Sequence, residues 1–488
     1  MPDTQKILHW IQDQEVAPQS GNYFDKKNPA TAEQLYEVAR GDSLDAAKAV
    51  AAAQAAVSAW SAMTPIARGN ILRKAAKLLN ERKESIGAQL ALEGGLSKKQ
   101  GLSEVDGLGE HAQFWASEGR RFYGRTLTSK TDHRLVYTIR EPIGVVLTIT
   151  PANTPFGGRS VMPALLAGNV VIMKPSEDMP TAPLELARAL KDAGLPAGVF
   201  SVVQGMGAEV GAALVQDNRI DLISFTGSVN VGKAIEQASV GRKDKFIKLS
   251  LELGGKNPMV ICEDADLDMA VKSAVLSAFS LAGQRCAAAS RIIVFDSIYD
   301  DCKRKLIELT QGLKVGLADD DDLGPLINER QLACNLVAVR QAITAGASVI
   351  LGGERLTGNL YQTGYFMAPT LLEHVSSEAE ISHQELFGPV AILYRVKDFD
   401  AAIRMVNESL YGLTASIHTS NLHRAQEFIR RVRAGVVHVN GHTYGSEPHM
   451  PFGGWHNSGN GTREAGTEAL DVYTQWKTVT VTHIPSKT

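Results

Sequence analysis

The stretch "IGVVLTITPANTPFGGRSVMPALLAGNVVIMKPSE", residues 143–177, decides how the chain is read. Its two apolar runs, "IGVVLTIT" and "NVVIMK", are each stopped by a proline-bearing loop, "PANTP" and "PSED". Short runs without polar alternation suit strands buried on both faces of a parallel sheet. Downstream come a helix in "APLELARALKDAG" (182–194), a run "VFSVVQ" (199–204) and a run "IDLISF" (220–225) closed by "TGS". Apolar runs alternating with helices predict βαβ units, whose ligand sites lie where the strands end at their carboxyl edge.

Upstream, the alanine-rich 44–60 and the segment 68–95 read as helices, the second stopped by Gly94 and Gly95. Beyond the first series the pattern restarts. "NPMVIC" (257–262) is a strand, a helix is predicted over 266–282, and a second α/β series runs to about residue 440. "HRLVYTI" (133–139) and "QWKTVTVTHI" (475–484) alternate like edge strands. Together they predict a small flap whose open edge calls for a second subunit, hence a homodimer or homotetramer.

At 488 residues the chain is long enough for two or three domains, and 44% apolar with 21% charged residues is ordinary for a globular protein. A net charge of −3 gives no electrostatic case for nucleic acid or an anionic membrane. The start, "MPDTQKILHWIQDQE", lacks a basic segment followed by a long apolar run, so no signal peptide is expected. Four cysteines without a CxxC pair suggest neither a disulfide framework nor a structural zinc site, and point to a reduced, cytoplasmic enzyme.

Several motifs are decoys. "GSVNVGKA" (227–234) approaches a P-loop, but Ala234 stands where a magnesium-binding hydroxyl belongs. A glycine-rich turn at a helix start remains, suited equally to a pyrophosphate or to no ligand at all. "DADLD" (264–268) opens like a calcium loop but lacks its glycine and closing glutamate. His438, His442, His449 and His456 show no zinc spacing, so no metal is expected. Cys286, in "AFSLAGQRCAAASR", is either a small buried hydrophobe or a nucleophile. For the nucleophile speak the Gly-Gln turn before it, the cation of Arg285, which lowers a thiol pKa, and the room left by the three following alanines. Glu252, in an apolar strand ending in Gly-Gly, is either a satisfied structural carboxylate or a base with a raised pKa.

Nine segments in order, "REPIGVV", "TPANTP", "PALLAGNVVIMKPSE", "GLPAGVFSVVQG", "FTGS", "LELGGKNP", "GQRCAA", "QELFGPV" and "PFGG", resemble the NAD(P)-dependent aldehyde dehydrogenase superfamily over nearly the whole chain. The resemblance implies an α/β fold with a Rossmann-like NAD-binding domain (1–123 with 143–253), an α/β catalytic domain (254–469) and an oligomerisation flap (124–142 with 470–488). It implies oxidation of a small-molecule aldehyde to the acid, with Cys286 as nucleophile, Asn153 as oxyanion donor and Glu252 as the base that activates water. NAD, with NADP open, would be held by Thr150, Lys174, Glu177, Gly207, Gly227, Ser228, Gly232, Leu253, Glu385 and Phe387. Glu177 near a ribose 2′-hydroxyl would repel a 2′-phosphate, which favours NAD.

Small residues at Ala152, Gly157 and Gly158, where relatives are bulkier, imply a wider substrate tunnel. "EPHMPFGG" resembles members acting on aromatic aldehydes of the benzaldehyde, salicylaldehyde or vanillin kind, which is the expected substrate class. The alternative is a dicarboxylic-acid semialdehyde, which needs a cation for its distal carboxylate, Arg159 or Arg285. Retention of Glu252 argues against a CoA-acylating member, and the full motif set against a non-catalytic NAD-binding protein on the same fold.

Overall fold

The computed structural model describes residues 5–483. The buried runs form the middle of a seven-stranded sheet. Its spatial order is Lys248–Glu252, Leu222–Thr226, Val145–Ile149, Val170–Lys174, Phe200–Val202, His9–Ile11 and Gln14–Val16. The first five strands are parallel, and the last two join antiparallel. Val145–Ile149 has the next two strands of the series on one side and the later two on the other. The loops after it and after Leu222–Thr226 therefore part in opposite directions and leave a crevice at the carboxyl edge. Helices Gly158–Ala167, Ala182–Ala193 and Val229–Val240 link successive strands.

A second seven-stranded sheet runs Ser348–Leu351, Thr370–Glu373, Val390–Val396, Ala289–Phe295, Asn257–Ile261, Thr414–His418, Val436–Val439, parallel except for its first pair. Each sheet has its own apolar core. The flap is present: Thr474–Thr482 pairs antiparallel with Arg134–Pro142, which pairs with Thr126–Leu127. Residues 484–488 of the expected flap, and 1–4 of the first domain, lie outside the described residues.

Local details differ from the sequence reading for identifiable reasons. The helix expected over 68–95 is two, Pro65–Glu81 and Lys83–Gly94, because the backbone leaves helical geometry at Arg82 (φ −101°, ψ 5°). Gly95, at φ 64°, caps the second. The helix expected over 266–282 stops at Phe279. Leu470, Val472 and Tyr473 are buried in the first core, and the flap strand expected from Gln475 starts at Thr474. An N-terminal three-stranded sheet of Lys6–Ile7, Gln34–Ala39 and Tyr23–Lys27 had no periodic signature. The acidic run at 264–268 is structural. Asp266 caps the helix Leu267–Phe279, and Asp264 accepts from Thr419, Ser420 and Arg424. No helix among the described residues is long and apolar enough to cross a membrane.

Asn169 ties the first sheet to the C-terminal segment. Fully buried, it accepts from the Ile143 and Gly144 N–H groups (2.7 and 2.9 Å) and donates to the Ala164 and Tyr473 carbonyls (3.1 and 2.9 Å). Replacement by alanine takes this partner from the Ile143 and Gly144 N–H groups and the Tyr473 carbonyl, while the Ala164 carbonyl keeps the backbone N–H of residue 169, and a stranded buried group costs about 1–3 kcal/mol. Asn169→Ala should therefore lower the thermal midpoint clearly, by several degrees in calorimetry, whereas substitution of the exposed Asn70 should not.

Candidate active site

Four loops at the carboxyl edge of the first sheet carry most of the residues expected to hold a dinucleotide. Lys174 ends its strand almost fully buried, with Nζ 3.2 Å from Glu177 Oε2. Burial works against charge on Glu177, but the Lys174 cation and backbone hydrogen bonding outweigh it and hold the carboxyl below its usual range. Thr150 Oγ1 is buried without a partner. Ser228 caps the helix Val229–Val240, its Oγ accepting from the Val231 N–H. At Gly227 and Gly232 a Cβ would come within 2.5 Å of the Phe225 ring and 2.7 Å of Leu253, so either side chain would have to shift to admit one. At Gly207, by contrast, a Cβ would find only the Lys174 side chain, at 4.0 Å. An orphaned hydroxyl, a cation–carboxylate pair, an open glycine and a capped helix N-terminus together fit a dinucleotide.

Cys286 follows a turn, not a helix. After Phe279 the chain passes through Leu281, Ala282 and Gly283 at φ 53°, 54° and 69°, all left-handed. A Cβ on Gly283 would sit 2.2 Å from the Gly388 carbonyl oxygen, so only glycine fits. Gln284 locks this turn by donating to the Leu281 and Pro325 carbonyls (both 3.2 Å) and accepting from the Ile327 N–H (2.9 Å). Asn257 donates to the Cys286 carbonyl (2.7 Å) and accepts from the Thr414 N–H (3.0 Å), while Thr443 donates to the Ala287 carbonyl (2.7 Å). The nucleophile candidate is thus held from the start of one strand of the second sheet, Asn257–Ile261, and from the loop after another, Val436–Val439.

The electrostatics differ from what Arg285 alone suggested. Burial pushes the Cys286 thiol up to about 11. Arg159, more than Arg285, opposes this, and the carboxylates of Glu385 and Glu252 reinforce it. Without cofactor the thiol is protonated at neutral pH. Glu252 is buried, with no hydrogen bond to either oxygen, and its pKa is raised well above the usual value. Burial is the first cause and Glu464 the second, with Arg159 and Arg463 opposing. Its carboxylate lies over Gly453 of "PFGG", where a Cβ would approach Oε1 to 2.7 Å. Glu464 is held by Ser224, Ser250 and Tyr473 hydroxyls at 2.5, 2.9 and 3.2 Å.

Glu385 accepts from the Gly255 N–H (3.0 Å), and burial pushes it up to about 7 against that bond and Lys256. Phe387 holds φ 56°. Asn153 lies half-buried in the turn before Gly158–Ala167. Further along, Arg159 lies 4.3 Å over the Phe452 ring and donates to Ser446 Oγ (2.8 Å). The Arg285 guanidinium sits 4.8 Å from the Tyr444 ring, its Nε buried without a partner.

Some sequence inferences need correction. Gly157 does not widen a tunnel: it takes φ 57° and abuts Thr150, while Gly158 lets Leu108 and His111 approach to 3.3 and 3.5 Å of a Cβ position. Ala287 and Ala289 are packed in the core, so of the three alanines only Ala288 is partly open. Cys262 and Cys302 are buried, but Cys334 is exposed. Asn257 and Gln284 stand in the segments "LELGGKNP" and "GQRCAA", but Glu464, Thr443, Tyr444 and Ser446 were missed as contributors to the site. Each owes its place to a contact distant in sequence, and none stands in a pattern that marks it.

The profile described as "Aldehyde dehydrogenase family" matches residues 16–479. The chain is 36% identical to an alpha-ketoglutaric semialdehyde dehydrogenase of Bacillus subtilis, over 97% of this chain and 98% of that one. It is 38% identical to a 2,5-dioxopentanoate dehydrogenase of Saccharolobus solfataricus, over 94% and 96%. Among solved structures, betaine aldehyde dehydrogenase from Staphylococcus aureus in complex with NAD+ superposes with a TM-score of 0.95 at 29% identity, covering 98% of this chain and 95% of that chain. With its catalytic and cofactor segments on that fold, the chain belongs to the aldehyde dehydrogenase family, NAD(P)-dependent oxidoreductases acting on the aldehyde group.

Proposed function

We propose that this enzyme oxidises a semialdehyde with a distal carboxylate, of the α-keto-acid kind, to the dicarboxylic acid, using NAD. One observation carries the reading: the fields of two arginines, Arg159 and Arg285, both reach Cys286, and each guanidinium is seated on an aromatic face. A guanidinium held flat on a ring keeps its edge N–H groups for a carboxylate. The two relatives above are named for such a semialdehyde, not for an aromatic aldehyde, and Phe452 of "EPHMPFGG" here seats Arg159.

In this reading the Cys286 thiol gives up its proton to solvent water and adds as thiolate to the aldehyde carbon, forming a thiohemiacetal. The Asn153 amide and the Cys286 N–H donate to the oxyanion, an interaction of about 3–4 kcal/mol in comparable sites. NAD, when bound, supplies the hydride acceptor that makes thioester formation an oxidation. Glu252, ionised, takes a proton from water, whose oxygen adds to the thioester carbon; the C–S bond breaks, the acid is released and the Cys286 thiolate takes a proton back. Glu464 beside it keeps Glu252 basic. Lys174, Glu177, Thr150, Gly207, Gly227, Ser228, Gly232 and Leu253 would hold the adenosine and pyrophosphate end of the cofactor, and Glu385 with Phe387 the nicotinamide ribose and ring. Ionised Glu177 disfavours a 2′-phosphate.

Cys286→Ala should abolish NADH formation from every aldehyde, and surviving turnover would sink the reading. Arg159→Gln and Arg285→Gln should each lower the preference for a carboxylated semialdehyde over an uncharged aldehyde of equal length by about tenfold or more, measured as the ratio of kcat/KM values. Unchanged ratios would exclude the arginine site. In the absence of NAD, Cys286 alkylation by iodoacetamide should keep accelerating with pH towards about 11, because the thiol must lose its proton against burial. Arg159→Gln, lacking the main opposing cation, should slow it further at fixed pH.

A further inference from the structure

The loop after Lys174 is joined to the catalytic half by one side-chain bridge. Asn328 Nδ2 donates to Asp178 Oδ2 (2.8 Å), and its Oδ1 accepts from the Gln331 N–H (2.9 Å), capping the helix Glu329–Thr344. These two bonds fix the amide orientation, since only the nitrogen can donate to the carboxylate and only the oxygen can accept from the N–H. The other Asp178 oxygen faces the buried Lys26 ammonium at 3.8 Å. Just beyond, Thr181 is held by the fully buried Glu93, its Oγ1 donating at 2.8 Å. The turn that presents Glu177 is therefore anchored on both sides of Asp178.

On the far side the same helix start reaches two other parts of the site. Gln331 Nε2 donates to the Leu386 and Phe387 carbonyls, next to Glu385 and at the left-handed Phe387. Asn335, fully buried, donates to the Leu386 carbonyl as well (3.2 Å). Immediately before Asn328, the Ile327 N–H donates to Gln284, which locks the turn leading into Cys286. From Asp178 the path runs through Asn328 to both places, by way of Gln331 to the 386–387 carbonyls and along the chain through Ile327 to Gln284.

We infer that Asn328 is a positioning residue that couples occupancy of the Lys174 and Glu177 end of the cofactor cleft to the Cys286 turn and to the backbone at 385–387. The inference rests on the reading that Glu177 and Glu385 hold opposite ends of NAD. Ordering of Glu177 by the ribose hydroxyls orders Asp178, and the Asn328 bridge carries that order to the start of Glu329–Thr344. The substitution Asn328→Asp keeps the helix cap but sets a second carboxylate against Asp178, breaking the bridge alone.

The test measures Cys286 alkylation by iodoacetamide, read on its own peptide by mass spectrometry, with and without saturating NAD. Wild-type protein should show an NAD-induced change in rate. Asn328→Asp should alkylate at the wild-type rate without NAD but lose about tenfold of that change, with kcat reduced similarly and KM for NAD nearly constant. Asp178→Asn combined with Asn328→Asp reverses donor and acceptor and should recover most of the loss. Asn328→Ser, which caps the helix and is too short for Asp178, carries the same expectation as Asn328→Asp should that variant not fold. An NAD response of wild-type size in these variants, an equal rate change with and without NAD, or no response in the wild-type protein overturns the coupling. Calorimetry separates the two readings. Wild-type protein that binds no NAD overturns the cofactor reading itself, whereas normal NAD binding with an undiminished response in the variants overturns only the role of Asn328.

Discussion

The structure depends on a turn held in an unfavourable conformation. Leu281 and Ala282 adopt left-handed geometry before Gly283, and each non-glycine residue there costs on the order of 1–3 kcal/mol. The cost is offset because Gln284 saturates the turn, Asn257 and Thr443 fix the carbonyls of Cys286 and Ala287, and Gly283 packs against the Gly388 carbonyl. The turn delivers Cys286 between the carboxyl edge of one sheet and the start of Asn257–Ile261 in the other.

That placement has an electrostatic consequence. Removal from water is the largest influence on Cys286, Glu252, Glu385 and Glu464 alike, and it favours the neutral form of each. Arg159 opposes it at Cys286, Glu252 and Glu464, which makes this residue the common counter-charge of the site. Its own seat on Phe452 and Ser446 comes from the glycine-rich segment near the C-terminus. A single loop therefore packs against the Glu252 carboxylate and seats the cation that opposes its burial.

Much of this was legible in the residues. The parallel strands were announced by uniformly apolar runs, and their loops by proline and glycine, because a strand buried on both faces tolerates little else. Flap strands showed through alternation. The N-terminal three-stranded sheet did not, since its strands are short and half-exposed. Gly157 and Gly158 misled: missing side-chain volume signals open space or close packing equally well. Here Thr150 packs against the first, and helix Lys98–Glu118 fills the space beside the second.

By itself the sequence determined the α/β class, the two series of strands and the presence of a thiol, two carboxylates and an amide in segments typical of this family. Local composition sets those, because strand burial and turn geometry act over a few residues. Tertiary structure alone decided which charges surround Cys286, that Arg159 outweighs the adjacent Arg285, and that Asn328 bridges to Asp178 in the loop after Lys174 from beside the residue that meets Gln284. Such relations depend on distance through space and on exclusion of water, and both arise only when residues far apart in the chain are packed together.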